Sequence, residues 1–335
     1  MSYLFVNENG AKIGIESERA VVEYSDGMKR TIPIETLESV IILGKSQMTT
    51  QATIEFIQRG IPVSYFSKGG KYFGCLQSTG HVNARRQRKQ AKLGESNSAF
   101  AVELSKKFIC GKIKNQQVLM KRYSVTKGID VSEETKYLIN CYEKVKRAKT
   151  INEIMGYEGT AAKYYFSALA KEIDKDFAFR GRNRRPPEDP FNSMISFGYS
   201  IIMNELCGVI QSHGLNPYFG FMHQDRENHP TLASDLIEEW RAVIVDSVVM
   251  SLINGHEIFL EHFEKDFDMP GCYLTKDGMK IFLNKLEKKL RTKIKYLSYV
   301  DYAVSFRGAI DLQVKQLVKA IEENDCELYK PVIIR

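Results

Sequence analysis

H-V-N-A-R-R-Q-R-K-Q-A-K-L, residues 81 to 93, divides the chain into two kinds of pattern. Before it, short runs rich in β-branched and aromatic residues (3–6, 11–15, 20–24, 30–34, 39–43, 63–66 and 72–76) alternate with polar punctuation, as strands do. Asn9-Gly10 and Asp26-Gly27 are dipeptides suited to type I′ hairpin turns, and Gly69-Gly70 is a third hairpin signal. Residues 50–59 are the exception: Ala52, Ile54, Phe56 and Ile57 fit one helix stopped by Gly60. After the divide, residues 99–125, 133–148, 151–173, 192–213, 231–254 and 277–300 carry apolar residues at spacings of three and four. Pro186-Pro187, Gly214 with Pro217, and Pro270-Gly271 punctuate them. The pattern predicts an α+β protein. A small β-rich, sandwich-like domain covers 1–80, a basic connector covers 81–95, and a larger all-α domain covering 96–335 holds the chemistry.

At 335 residues the chain is too long for most single cores and suits two domains. Hydrophobic residues at 43% and charged residues at 27% place it among soluble globular proteins rather than disordered ones. Lys and Arg outnumber Asp and Glu by 48 to 41, and the excess is clustered, which favours a polyanionic partner through counterion release. The six cysteines (Cys75, Cys110, Cys141, Cys207, Cys272, Cys326) contain no C-x-x-C pair, so reduced thiols in a cytoplasmic protein are expected. The start, M-S-Y-L-F-V-N-E-N-G, lacks the pattern of a signal peptide. The longest apolar run, 243–253, is interrupted by Asp246, Ser247 and Ser251 and is too short to span a bilayer, so no membrane association is expected.

Three polar patches interrupt apolar or small-residue stretches in the helical part. Glu158 lies in E-I-M-G-Y-E-G-T-A-A-K-Y-Y-F, His223 ends G-L-N-P-Y-F-G-F-M-H, and Asp235 and Glu238 lie in S-D-L-I-E-E-W-R. A carboxylate in such a setting is costly unless a positive group compensates it. On a helix Glu158 shares a face with Ala162, Tyr165 and Leu169, and the small residues around it admit another backbone or a substrate. Asp235 and Glu238 are neighbours on one helix face, and His223 stands fifteen residues before Glu238, a span that lets a loop bring its imidazole back to them. Carboxylates with a single imidazole suit Mg²⁺ or Mn²⁺ acting on a phosphodiester; structural Zn²⁺ sites use cysteines or more histidines. Taken one at a time, an exposed glutamate or a solvated acidic first turn fits Glu158 and the Asp235/Glu238 pair equally well. Glu239 reads as such a solvated carboxylate. His81, His213, His256 and His262 have no partner that the sequence identifies.

Arg180, Arg182, Arg184 and Arg185 fall in F-R-G-R-N-R-R-P-P-E-D-P, a loop stiffened by two prolines. Arginine's planar fork matches phosphate, which favours DNA contact over pairing with Glu188 and Asp189. Arg85, Arg86, Arg88, Lys89 and Lys92 read as a second phosphate-binding element or as an exposed basic linker. Residues 276–295 carry eight basic residues on the outer face of an amphipathic helix, either a solvated surface or an extension of a DNA track.

Four blocks together resemble a known family: Y-E-G-T-A-A-K-Y-Y-F around Glu158, F-R-G-R-N-R-R-P-P-E-D-P-F-N-S-M-I-S-F-G-Y over 179–199, G-L-N-P-Y-F-G-F-M-H over 214–223, and D-L-I-E-E-W-R over 235–241. The chain is similar, over essentially its whole length, to the CRISPR-associated endonuclease and integrase of the spacer-acquisition machinery, the "Cas one" family. The resemblance implies that Glu158, His223 and Glu238 hold a catalytic Mg²⁺ or Mn²⁺, with Asp235 as a supporting carboxylate. The family has Asp or Glu at the third position, and both Asp235 and Glu238 lie on one face here. It implies a homodimer formed through the β domain, assembly with the small "Cas two" protein, and insertion of double-stranded DNA fragments into a CRISPR array, with branched DNA as a substrate. The activity expected is metal-dependent strand transfer, in which a 3′-hydroxyl attacks a phosphodiester, with nuclease activity when water replaces the hydroxyl. The alternatives are a non-catalytic DNA-binding scaffold, whose acidic groups are structural ion pairs, and a general metal-dependent DNA nuclease.

Overall fold

The computed structural model describes residues 2–80, 82–95, 97–177, 179–183, 186–265 and 271–334, and it divides into two compact units, Met1–His81 and Val82–Arg335. The first unit contains β1 (Ser2–Val6), β2 (Lys12–Glu16), β3 (Arg19–Glu23), β4 (Lys29–Pro33), β5 (Leu37–Leu43), β6 (Gln47–Met48), α1 (Thr50–Gln58), β7 (Val63–Phe66) and β8 (Tyr72–Leu76). They form two four-stranded sheets, ordered β1-β5-β7-β8 and β4-β3-β2-β6. Leu4, Val6, Val40, Ile42 and Val63 of one sheet share a core with Ile13, Ala20 and Val22 of the other and with Ala52 and Phe56 of α1. The alternation of these residues along each strand is what places one face of each sheet in that core.

The turns depart from expectation at two places. Asn9-Gly10 does not join a hairpin, because β1 pairs in parallel with β5 while β2 pairs with β3 and β6. The Asn9 side chain instead accepts a hydrogen bond from Lys45 N at 2.9 Å, tying this crossover to the end of β5. The tight two-residue hairpin falls at Ser17-Glu18, both with positive φ (46° and 62°) between the paired β2 and β3. Asp26-Gly27 and Gly69-Gly70 do join antiparallel neighbours, β3 with β4 and β7 with β8.

The second unit contains α2 (Ala84–Leu93), α3 (Ala99–Lys127), α4 (Ser132–Arg147), α5 (Ile151–Glu172), α6 (Pro190–Ser212), α7 (Thr231–Ile237), α8 (Ser247–Asn254), β9 (Phe263–Lys265), β10 (Cys272–Leu274), α9 (Lys276–Arg291), β11 (Lys293–Ile294), β12 (Val304–Ser305) and α10 (Phe306–Glu323). It is mainly helical rather than all-α: β9 pairs with β10 and β11 with β12. The helix expected over 277–300 ends at Arg291, where the backbone turns into β11. The helix expected over 231–254 is interrupted by a π-helical turn, Arg241–Asp246, between α7 and α8. The longest apolar helix is α6, which has the length and composition to cross a membrane; 56% of its most apolar window is buried inside the protein.

Gly198 lets α6 lie against that π turn: a Cβ there would stand 2.5 Å from Val245 Cγ1 and 3.0 Å from Phe282 Cζ. The segment read as a connector is a built helix. Asn83 caps α2 by accepting from Arg86 N at 3.0 Å, and Gln90 on its inner face is 0% exposed. Its charge density hid this single buried amide. Arg86 and Lys89 bond to Glu322 at the end of α10, while Arg85 and Arg88 remain exposed.

Candidate metal centre

The loop that carries His223 is held from both sides. Gln90 donates to Asn216 O (2.8 Å) and Phe219 O (2.7 Å) and accepts from Asn216 N (2.9 Å). Thr231, the first residue of α7, donates through its hydroxyl to Tyr218 O and accepts from Gly220 N. Asp235 then takes the loop's end: Oδ2 accepts from Phe221 N (2.6 Å) and Met222 N (3.1 Å), and Oδ1 from His223 N (3.0 Å). The same Oδ1 lies 2.7 Å from His223 Nδ1, so Nδ1 carries the proton and Nε2 is the ring's remaining donor atom. Asp235 is therefore committed to orienting the His223 ring and its loop. His229 bonds to Ser234 Oγ at 3.0 Å, and His213, for which the sequence offered no partner, pairs with Asp311 at 2.7 Å.

Glu158 lies midway along α5, and Gly156 and Gly159 beside it face open space. Glu238, immediately after α7, is nearly buried. Between the two stands Lys112 of α3, a residue that sequence reading did not single out. Its ammonium bonds to Glu158 Oε1 and lies 2.6 Å from Glu238 Oε2; the Lys112 side chain is 7% exposed. Its signal was position: it stands one helical turn after Phe108 and two before Leu119, on the buried stripe of α3. Arg241 Nη2 approaches Glu238 Oε1 at 3.1 Å, and its guanidinium sits 4.4 Å from the centroid of the Tyr199 ring. The hydroxyls of Tyr165 (2.8 Å) and Tyr199 (2.5 Å) both donate to Asp246 at the end of the π turn.

These charges set the ionisation of the site. Burial pushes the Glu238 carboxyl up, but Arg241, Lys112 and His223 outweigh it and hold it at about 2. Burial pushes the His223 imidazole down, and Asp235 and Glu238 more than reverse this, so its pKa is raised. Lys112 is likewise raised, because Glu158 and Glu238 overcome its burial. Burial lifts Asp246 to about 6 against the two tyrosine hydrogen bonds.

Glu239 is not the solvated residue its place in the sequence suggested. It is 0% exposed and accepts from Tyr329 OH (2.9 Å), Gln313 Nε2 (3.1 Å) and Val332 N (2.8 Å). Asn115 of α3 donates to Glu239 O and Val332 O and accepts from Ile334 N. The segment 329–334 is thus stapled to the residue next to Glu238 and to the helix that carries Lys112. The charge of Glu239 masked a buried acceptor whose donors lie about ninety residues away.

Among the described residues no group of three or more His, Cys, Asp or Glu side chains is gathered around a common metal position. The donor chemistry nevertheless fits a hard divalent cation. Glu158 and Glu238 already share one cationic group, and the His223 ring is held by Asp235 so that Nε2 is left available. Of the arginine loop, Arg182 donates to Asn192 Oδ1 (2.9 Å) and Ser196 Oγ (3.1 Å), which docks the loop on α6. Arg180 is exposed, beside a cleft lined by Phe177, Asn183, Phe263 and Lys265. Arg184 and Arg185 lie outside the described residues.

The fold is shared with a casposase bound to integration product (TM-score 0.86, 24% identity, 99% of this chain and 94% of that one). It is shared also with a Cas1 protein from Thermotoga maritima (TM-score 0.82, 22% identity, 96% of this chain and 97% of that one). Sequence narrows the class further. The model of the CRISPR associated protein Cas1 family matches residues 4–288, and the chain belongs to that family. The CRISPR-associated endonuclease Cas1 of Mycobacterium tuberculosis (strain H37Rv) is 35% identical over 322 residues, which is 96% of this chain and 94% of the relative. CRISPR-associated endonuclease Cas1 3 of Thermus thermophilus is 31% identical over 334 residues, 99% of this chain and 97% of the relative.

Proposed function

We propose that the chain is the DNA endonuclease and integrase of CRISPR spacer acquisition, joining a DNA 3′-hydroxyl to a phosphodiester of the array. The observation that carries this reading is the pair Glu158 of α5 and Glu238 at the end of α7, brought onto one cation beside an oriented His223. Glu158, His223 and Glu238 would hold a divalent ion, Mg²⁺ or Mn²⁺. Such an ion, when bound, lowers the pKa of a hydroxyl and neutralises charge growing on a phosphoryl group. The chain's own residues do the rest. Asp235 keeps His223 in one tautomer, Arg241 stacked on Tyr199 keeps Glu238 ionised, and the exposed Arg180, Arg85 and Arg88 present cations to the DNA backbone.

The partners proposed are double-stranded and branched DNA, a second copy of the chain through residues 1–80, and Cas2, in the cytoplasm. A Cas6-RT-Cas1–Cas2 complex and a TtCas1-DNA complex among the structures of like fold support Cas2 and DNA as partners (TM-scores 0.84 and 0.59). Six free cysteines agree with a reducing compartment. The scaffold reading draws on Lys112, which already balances both carboxylates.

Strand joining on a branched DNA that mimics a half-integrated product, with Mn²⁺, Mg²⁺ or chelator, separates the two. Metal-dependent joining that is lost in Glu158→Ala and in His223→Ala is expected. Salt-sensitive binding with full joining in either variant, or no Mn²⁺ binding at all, would overturn the reading.

A further inference from the structure

Two cations serve Glu238, and they differ in how firmly they are held. Arg241 is pinned: its guanidinium lies against Tyr199, whose hydroxyl is bonded to Asp246. Lys112 reaches the carboxylates through a flexible stem of four methylenes, and its ammonium bridges Glu158 and Glu238 across the space between α5 and the residue after α7. A divalent ion shared by the same two carboxylates would have to stand where that ammonium stands. Like charges at such a separation, in a site this buried, do not coexist at low cost. Without any cation there, two carboxylates would face each other with little solvent, which is equally unfavourable.

We propose that Lys112 is a resident counter-cation of the centre, holding Glu158 and Glu238 together in the metal-free protein and being displaced from between them when a divalent ion binds. This rests on the reading that Glu158 and Glu238 are metal ligands. It makes the lysine a positioning residue with opposite effects in two states. In the metal-free state it preserves the spacing of the two carboxylates, so the protein folds without metal. In the metal-bound state its displacement is subtracted from the affinity, which keeps the ion exchangeable.

The test is Mn²⁺ binding measured by electron paramagnetic resonance on the intact chain, alongside thermal unfolding in chelator and in saturating Mn²⁺. Lys112→Met keeps the stem and removes the charge. It is expected to lower the melting temperature in chelator and to tighten the Mn²⁺ Kd by about tenfold, equivalent to about 1.4 kcal/mol. Lys112→Arg, whose rigid fork can hold both carboxylates, is expected to weaken Mn²⁺ binding relative to the natural chain. Glu158→Ala reports on the underlying reading. If the natural chain binds Mn²⁺ and Glu158→Ala does not, while Lys112→Met binds no more tightly, the counter-cation proposal alone fails. If the natural chain binds no Mn²⁺, or Glu158→Ala binds it as well, the metal centre fails and the proposal goes with it.

Discussion

Asp235 does its work as an acceptor. Three backbone N–H groups and one imidazole N–H converge on its two oxygens, and the residue is 0% exposed. Asp235→Ala leaves those donors buried and unpaired, and is expected to cost about 3 kcal/mol in urea unfolding, at roughly 1–3 kcal/mol per orphaned group with partial relaxation. Asp235→Asn turns an NH₂ toward donors and should loosen Mn²⁺ binding through His223; an unchanged affinity would mean the loop is held otherwise. Residues of this kind were legible in the sequence because each polar group broke an apolar block. Lys112 and Glu239 were not, because a lysine or glutamate is expected at the surface unless its partner is known. Their partners, Glu158 and Glu238 for one and Tyr329 with Val332 for the other, are far away along the chain.

Among the elements, β1–β5, β7, β8, α1 and α3–α6 were read to within a few residues, since the apolar periods of two and of three to four are local signals, whereas α2, α10 and the short strands β6 and β9–β12 were not read at all. Nor was pairing. β1 and β2 join different sheets, and the hairpin at Ser17-Glu18 carries none of the Asn or Gly that marks such turns. Both residues sit in the left-handed region, so Ser17→Asn with Glu18→Gly is expected to raise stability by about 1 kcal/mol. A thermal melt that does not rise would argue that the exposed Glu18–Arg59 pair matters more than the backbone strain. The π turn was equally invisible in the sequence, although the space it needs is marked by Gly198. Gly198→Ala drives a methyl into Val245 and Phe282 and is expected to destabilise by about 1–3 kcal/mol, read from denaturant midpoints. Gln90 shows how an element can be mistaken for a linker when a single uncharged side chain carries its packing.

At the scale of the molecule, ionisation couples distant parts to pH. Burial lifts Glu172 to about 8 against Lys127, and burial lifts Glu239 to about 8 against its three hydrogen bonds. Both bind protons in the folded chain that the unfolded chain releases above about 4.5, so stability falls as pH rises from about 4.5 to about 8. Glu238, held at about 2, acts in the other sense, and its contribution is lost only as pH drops from about 4.5 toward 2. Glu172→Gln is expected to flatten the decline on the alkaline side in unfolding measured from pH 5 to 8.5. A parallel, unflattened profile would show that Glu172 is ionised in the fold. The acceptor role of Glu239 also sets an order of events during synthesis. A ribosome delivers Lys112, Glu158, His223 and Glu238 well before Val332, whose N–H reaches Glu239 across 93 positions. Until residues 329–334 emerge, the residue beside Glu238 lacks two of its donors and α3 lacks the segment that Asn115 binds. A nascent chain therefore carries Lys112, Glu158 and Glu238 before the segment that fixes their neighbours Glu239 and Asn115, and that part of the packing is completed only late in translation.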